Sequence, residues 1–434
     1  MSNKLTKANE ALSLTPEIMT LDTPIHIVWT GAGDMLKKSF QAIEELVRRG
    51  AKITFVDICD IDEVRQPPPP ACEFYNITLP ERRRMLRELL REQPVTHLYI
   101  ATWPEFHLPM ALKYADSCQG GMIVIPKPLD TNFTLIDTIA SASLPGLAHK
   151  IFVHDHYRNK AVVGHMYDAF PKLKHYGEVT EFEFFLLEYR TIEQEQRLKA
   201  LAKGVIFDLM SHLFALVQMF FIAPPHVAVS MSGATVQRID IRINQVARAR
   251  YINCGLPNDI ETFAAISVTI IVRYKGNREI FERPIHGLLV AGKGVKPTQS
   301  VQADVKGMRF KLALGNRSAN LSTGAINPPL ADLDFISESN ETGFYQPVIN
   351  GLSQKRPEPK TSKRSGRFSE LMSFAEAREN SLLLQQSILK GSSLTYYRRQ
   401  SSTLSEILSD CVRAGNLSAD CLLKGEPFDI GYSA

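Results

Sequence analysis

Apolar and polar positions follow one another in two distinct regimes along the chain. Pro24-Ile25-His26-Ile27-Val28-Trp29 reads as a buried strand that ends at Thr30-Gly31-Ala32-Gly33. Over residues 35–49 the apolar side chains Phe40, Ile43, Leu46 and Val47 recur at helical spacing, and Gly50 stops the helix. Residues 51–56 form a second strand, closed by Asp57. An interruption follows, with prolines at 67–70 and a basic helix around Arg82-Arg83-Arg84 whose charges make a solvated face. Residues 97–101 and 122–125 are further buried strands, separated by a helix over 105–116. Strand and helix in alternation specify a parallel sheet with helices on both faces.

Past residue 150 the alternation stops. Strand-like runs over 178–188, 264–274 and 307–314, with a hairpin signal at Tyr274-Lys275-Gly276-Asn277, predict an antiparallel sheet in an α+β domain. Residues 354–367 hold six basic residues among prolines and serines and read as a mobile loop, while 368–390 return to helix. The expected layout is a disordered 1–22, an α/β Rossmann-type domain over 23–150, and an α+β domain with a large, mostly antiparallel sheet over 151–400. A C-terminal tail over 401–434 completes it.

Composition narrows the function classes. At 434 residues two domains are the prior. The 44% apolar and 22% charged fractions are those of a globular protein, and a net charge of +4 is too weak to point to nucleic acid. No run is long and apolar enough for a membrane span, and the first 22 residues lack a signal-peptide core. The six cysteines are scattered without a C-x-x-C, so they read as reduced thiols rather than a disulfide framework or a metal site. The expected location is the cytoplasm.

Candidate chemistry sits at the ends of the predicted parallel strands. Gly31-Ala32-Gly33 follows a strand and opens a helix, the setting in which backbone amides hold a pyrophosphate; Asp34 and Met35 follow, and Leu36 stands where a third glycine would. An ordinary glycine turn is the alternative. Asp57, at the end of the second strand, would accept from ribose hydroxyls and favour NAD over NADP, unless it is a helix cap, a part Asp60 or Asp62 could also take. Thr102-Trp103 lies where the nicotinamide ribose normally rests. Lys127, between Pro126 and Pro128, can donate to a sugar hydroxyl. Asp155-His156-Tyr157-Arg158-Asn159-Lys160 packs an acid, an imidazole, a phenol and an ammonium into one hexapeptide; it is a catalytic cluster or a polar loop with a capping Asp.

Taken together these motifs resemble the glucose-6-phosphate dehydrogenase family, and more distantly the glucose-fructose oxidoreductase/inositol dehydrogenase superfamily that shares the Lys-Pro motif. Residues 31–38 are similar to G-A-S-G-D-L-A-K-K less its serine, Lys127-Pro128 stands at the family's E-K-P-F, and residues 155–160 match D-H-Y-L-G-K. Residues 204–213 match G-I-I-R-D-V-M-Q-N-H-L one residue shorter, and Glu261-Thr262-Phe263-Ala264-Ala265 and Gly292-Lys293 match later segments. The resemblance implies an NAD- or NADP-dependent oxidation of glucose 6-phosphate at C1 to the lactone, in a homodimer. It implies His212 as base, Asp155 behind it, His156, Tyr157 and Lys160 on the phosphate, and Glu188 and Lys293 on the substrate.

Helix spacing offers a rival partner for His212, since Asp208 is its i,i+4 neighbour; the family's equivalent acid binds sugar instead. Three departures cluster at the sites: the lost serine, Pro126 in place of glutamate, and no arginine near Thr298 and Gln299. Together with Asp57 they point to a divergent member that prefers NAD. Two further readings stay open: action at another sugar carbon such as C3, and a cofactor-binding protein without catalysis.

Overall fold

The computed structural model describes residues 25–31, 53–60, 72–76, 79–92, 96–115, 122–141, 145–155, 179–188, 204–222, 235–249, 260–275, 280–293, 298–305, 308–313, 318–321, 333–336, 372–391 and 395–397, together with Leu36, Ile43, Tyr157 and Arg158. The predicted N-terminal segment 1–22, the basic loop 354–367 and the tail 401–434 lie outside the described residues.

The first sheet has seven strands: β1 (Ile25–Thr30), β2 (Ile53–Asp60), β3 (Cys72–Asn76), β4 (Thr96–Ile100), β5 (Met122–Pro126), β6 (Ile151–His154) and β15 (Met372–Ser373), in the order β15-β6-β5-β4-β1-β2-β3. All neighbours are parallel except β15, which runs antiparallel to β6. Its central strands are mostly apolar because both faces are covered, with His26, Thr30, His97 and His154 as buried polar exceptions; Val28, Leu98, Ile100, Ile123, Ile125 and Val153 share one core. Helices α1 (Pro80–Glu92), α2 (His107–Ala115) and α3 (Phe133–Ala140) belong to this part of the fold. Of the helix predicted over 35–49, Leu36 and Ile43 are described; both are helical and buried, two turns apart on one face.

The second sheet runs β12-β11-β7-β10-β9-β8-β16, with β7 (Val179–Glu188), β8 (Thr235–Ala249), β9 (Ile260–Lys275), β10 (Ile280–Lys293), β11 (Thr298–Val305), β12 (Met308–Ala313) and β16 (Thr395–Tyr397). It is mostly antiparallel; β7 with β10 and β8 with β16 are the parallel pairs. Along β9 the side chains of Ala264, Ile266, Val268, Ile270 and Val272 enter the core, while Ser267, Thr269, Ile271 and Arg273 take the other face. A separate hairpin pairs β13 (Ser318–Leu321) with β14 (Leu333–Ile336). The architecture is the expected one, a parallel α/β sheet followed by a mostly antiparallel sheet.

Packed against the second sheet is α4 (Ser211–Val217), flanked by wider π-helical turns over Ile206–Met210 and Gln218–Ile222. Phe214, Phe220 and Phe221 of this stretch are fully buried with Phe182 and Phe184 of β7. Gly204 opens it at φ +80, where a Cβ would stand 2.7 Å from that of Glu261. The last helix, α5 (Phe374–Gly391), starts later than predicted because Met372 and Ser373 pair with Val153 and Phe152 of β6.

The strands differ from the sequence reading at several points: β6, β11, β13, β14 and β16 were not among the predicted runs, and three further differences concern β2, β3 and β8. β2 does not close at Asp57; that residue is in register with Val28 on one side and Glu73 on the other, and two ladders carry the strand on to Asp60. β3 lies inside the stretch read as an interruption, as a short edge strand of polar and apolar residues. β8 was not predicted, although Ile239, Ile241 and Ile243 alternate with Arg238, Asp240 and Arg242.

At the end of β1, Gly31 has φ +104, and a Cβ there would lie 2.4 Å from the carbonyl oxygen of Ala101. Both the conformation and the contact exclude a side chain. Gly31→Ala is expected to cost roughly 1–3 kcal/mol, read as a lower denaturant midpoint at unchanged slope; an unchanged midpoint would contradict this packing.

Candidate active site

The C-terminal ends of the parallel strands converge on one edge. Gly31 follows β1, Thr102 and Trp103 follow β4, Lys127 follows β5 and Asp155 follows β6, the edge at which open α/β sheets bind ligands. Gly31 is tied to β2 by its amide, which donates to Cys59 O at 2.9 Å, and Ala101 N donates to Thr30 O at 2.8 Å. Thr102 Oγ1 is buried without a hydrogen-bond partner among the described residues, and Trp103 is exposed beside it.

Asp155 is fully buried. Its Oδ1 accepts from the backbone amides of Tyr157 at 2.9 Å and Arg158 at 3.1 Å, and its Oδ2 lies 2.7 Å from His212 Nδ1. Burial pushes this carboxyl up, but His212, the Arg158 amide and Lys127 outweigh it and hold it below the usual carboxylate range. For His212 the balance runs the other way: burial lowers the imidazole, Asp155 raises it, Lys127 lowers it again, and the net direction is down. The ring is therefore neutral at pH 7, with its proton on Nδ1 towards the carboxylate and Nε2 as the basic nitrogen. Tyr157 lies edge-on to the imidazole, ring centroids 4.7 Å apart. Burial, with Glu188 and Asp155, raises its phenol far above the ordinary value, so the hydroxyl keeps its proton.

Asp208 does not take the imidazole. It sits in the π-helical turn, which breaks the i,i+4 stacking that an α-helix would give it with His212. Its Oδ1 is 3.1 Å from Lys127 Nζ and its Oδ2 is 3.2 Å from Lys293 Nζ; its carbonyl accepts from Lys127 Nζ as well, and from Ser211 Oγ at 2.9 Å. Burial would raise the Asp208 carboxyl, yet the two ammonium groups hold it well below the carboxylate range. Lys293, at the end of β10, also meets Glu188 Oε2 of β7 at 3.0 Å. The structure thus joins the predicted residues Lys127, Asp208, Lys293 and Glu188 in one charge chain beside the Asp155–His212 pair. Gly31, Thr102 and Trp103 lie along the same edge, and Leu36 is buried. Ala32, Gly33, Asp34, Met35, His156 and Lys160 lie outside the described residues.

The sequence reading missed the row of rings beneath this edge. Trp29 stacks on Tyr99 at 3.9 Å and donates from Nε1 to Gly31 O at 2.9 Å. Tyr99 hydrogen-bonds His154 Nδ1, and His154 O accepts from the amide of Lys127 at 3.0 Å. His107 was missed too; its ring nitrogens reach Pro128 O at 2.9 Å and Thr102 O at 3.1 Å, joining the loops after β5 and β4. For Trp29 and Tyr99, aromatic positions within predicted buried strands were the available signal; His107 lies in the predicted helix over 105–116, and His154 in a strand that was not predicted.

No protein-family model matches the chain, and no curated protein matches it by sequence. Solved structures do match. KijD10, a 3-ketoreductase from Actinomadura kijaniata, aligns with TM-score 0.53 over 87% of this chain and 100% of its own, at 10% identity. The WlbA dehydrogenase from Bordetella pertussis gives 0.56 over 86% and 96%, at 15% identity. A putative myo-inositol dehydrogenase from Sinorhizobium meliloti gives 0.54 over 85% and 98%, at 13% identity. The chain has their fold. The broader of the two resemblances accords with this fold, whereas assignment to the glucose-6-phosphate dehydrogenase family finds no support.

The site's electrostatics are directly measurable. The imidazole of His212, followed by NMR, is expected to titrate below about 6.5. In Asp155→Asn, which removes the charge that raises it, the midpoint should fall further. A midpoint above that of an exposed histidine, or an upward move in the variant, would contradict the burial and pairing described.

Proposed function

We propose that this chain is an NAD(P)-dependent oxidoreductase acting on a CH–OH group of a sugar ring. The observation that carries the reading is the 2.7 Å contact of His212 Nδ1 with Asp155, beside Lys127, at the C-terminal edge of a parallel sheet. The residues present fit a dinucleotide: the left-handed Gly31 makes the tight turn after β1, and Thr102 Oγ1, unpartnered among the described residues, lies on the same edge. The KijD10 structure contains NADP, and that of WlbA contains NADH with UDP-GlcNAcA. Gly31, Ala32, Gly33, Asp34, Met35 and Leu36 are assigned to the cofactor's pyrophosphate turn, with Thr102 and Trp103 near its nicotinamide ribose. An acid at the end of β2 favours NAD; Asp57 and Asp60 both lie on that strand, and Asp60 is its last residue.

A nicotinamide bound there would supply the hydride acceptor for oxidation of the sugar carbon, and the hydride donor for the reverse direction. His212 Nε2 takes the hydroxyl proton as the carbonyl forms. Asp155 fixes the tautomer that leaves Nε2 basic and stabilises the imidazolium as it forms. Lys127 donates a hydrogen bond to the reacting oxygen, and Asp208 holds that ammonium in place. Glu188 and Lys293 face other hydroxyls.

Lys127 and Lys293 are each committed to carboxylates, which favours an uncharged ring at the reacting end, as in a polyol or the sugar of a nucleotide sugar. A hexose 6-phosphate oxidised at C1 is the second reading; it rests on the Asp155 to Lys160 motif, with His156, Tyr157 and Lys160 on the phosphate. A homodimer through the outward face of the second sheet completes the proposal.

Turnover is tested by incubating purified protein with NAD or NADP and, in turn, nucleotide sugars, inositols and hexose 6-phosphates, following absorbance of the reduced nicotinamide. One class is expected to react, with an acid limb in the rate profile below about pH 6.5. His212→Asn should lower kcat roughly 10²–10⁴-fold with cofactor Kd little changed. Cofactor binding without turnover on the whole panel, in either direction, would instead mark a non-catalytic binding protein.

A further inference from the structure

The Asp155–His212 contact joins two separate parts of the fold: Asp155 leaves the end of β6, and His212 lies on α4. Neither element alone fixes their separation. A third segment, far along the chain, touches both. Met372 and Ser373 pair with Val153 and Phe152 of β6, immediately before the loop that carries Asp155. Gln218, in the turn that continues α4, donates from Nε2 to Glu376 O at 2.9 Å and to Glu379 Oε2 at 3.1 Å. The loop itself is held through Arg158. Its amide donates to Asp155 Oδ1, and its Nη2 donates to Glu376 Oε1 at 3.3 Å, across 218 residues of sequence.

Glu376 is well prepared for this role. It is the third residue after Ser373, and the two form the reciprocal contacts of a capping box at the start of α5. Glu376 Oε2 accepts from Ser373 N at 2.8 Å and Ser373 Oγ at 2.9 Å, and Glu376 N donates to Ser373 Oγ at 3.3 Å. One carboxylate oxygen is thereby locked to the helix start, and the other is aimed at Arg158. Arg158 is buried, with Nε and Nη1 lacking hydrogen-bond partners among the described residues. Its guanidinium therefore depends on Glu376, and loss of that carboxylate would leave a buried cation that must move towards water. The backbone amide that moves with it is one of the two that orient Asp155.

We propose that the Arg158–Glu376 ion pair is a positioning device that sets Asp155 against His212, with the start of α5 acting as the brace between the two parts of the site. The role rests on the oxidoreductase reading for its meaning in catalysis, but its physical content is tested without turnover. The groups facing His212 are Asp155 from the β6 end, Lys127 from the β5 end, Asp208 from its own segment, and Tyr157.

The experiment compares wild type with Arg158→Met and Glu376→Gln by NMR of the His212 ring in the full chain, the signal being assigned with His212→Asn. Arg158→Met removes a positive charge and Glu376→Gln a negative one, so a purely electrostatic influence would move the His212 midpoint in opposite directions. Positioning predicts the same direction in both, downward, with loss of the hydrogen-bonded Nδ1 proton signal, because each change loosens the acid that raises the imidazole. Arg158→Lys, which keeps the charge, should restore much of the wild-type midpoint. If a variant fails to fold, Ser373→Ala, which unlocks Glu376 without touching either charge, replaces it with the same expected shift. Opposite shifts, or unchanged midpoints in folded variants, would overturn the proposal. Should turnover exist, kcat is expected to fall about tenfold or more in both variants with cofactor Kd unchanged. Absence of turnover in wild type would refute the oxidoreductase reading and leave the NMR result standing.

Discussion

Everything at this site depends on a hydrogen bond between two groups that burial alone would keep uncharged or apart. Asp155 has no exposed surface, and a carboxylate there is tenable because two amides and an imidazole surround it. The same contact fixes which imidazole nitrogen carries the proton. The pairing leaves Nε2 as the basic nitrogen, while burial and Lys127 keep the ring neutral against the upward pull of Asp155.

The second layer of the site follows from charge matching. Lys127, Asp208, Lys293 and Glu188 come from β5, the π-helical turn, β10 and β7, and alternate in sign. Each ammonium answers a carboxylate, which makes their partial burial tolerable. The wide turn at Ile206–Met210 lets Asp208 face two lysines while His212 faces Asp155. Both sheets are needed: the parallel sheet supplies Lys127 and Asp155, and the antiparallel sheet supplies Glu188 and Lys293. The segment carrying Asp208 and His212 packs between them, with Ala215 in the core of the first and Phe214 in that of the second.

Much of this was legible in the residues. The parallel strands announced themselves as short apolar runs, and Lys127, Asp155, Asp208, His212, Glu188 and Lys293 all meet in one place. What local pattern could not show was pairing. Asp155 and Asp208 were both chemically adequate partners for His212, and the choice depends on a helical turn whose width no spacing rule reveals. β2 outran its predicted end at Asp57 because two neighbouring strands hold it, a tertiary effect that propensity does not contain. Arg158 and Glu376 escaped notice for a related reason: their partnership spans 218 residues, although Ser373-x-x-Glu376 carried the spacing of a capping box.

The most direct test of the central claim is a double-mutant cycle on kcat with Asp155→Asn and His212→Asn. If Asp155 acts through His212, the double variant should be about as slow as His212→Asn alone, since removing the base makes its partner irrelevant. Independent, multiplicative losses would contradict that account and assign Asp155 a role of its own.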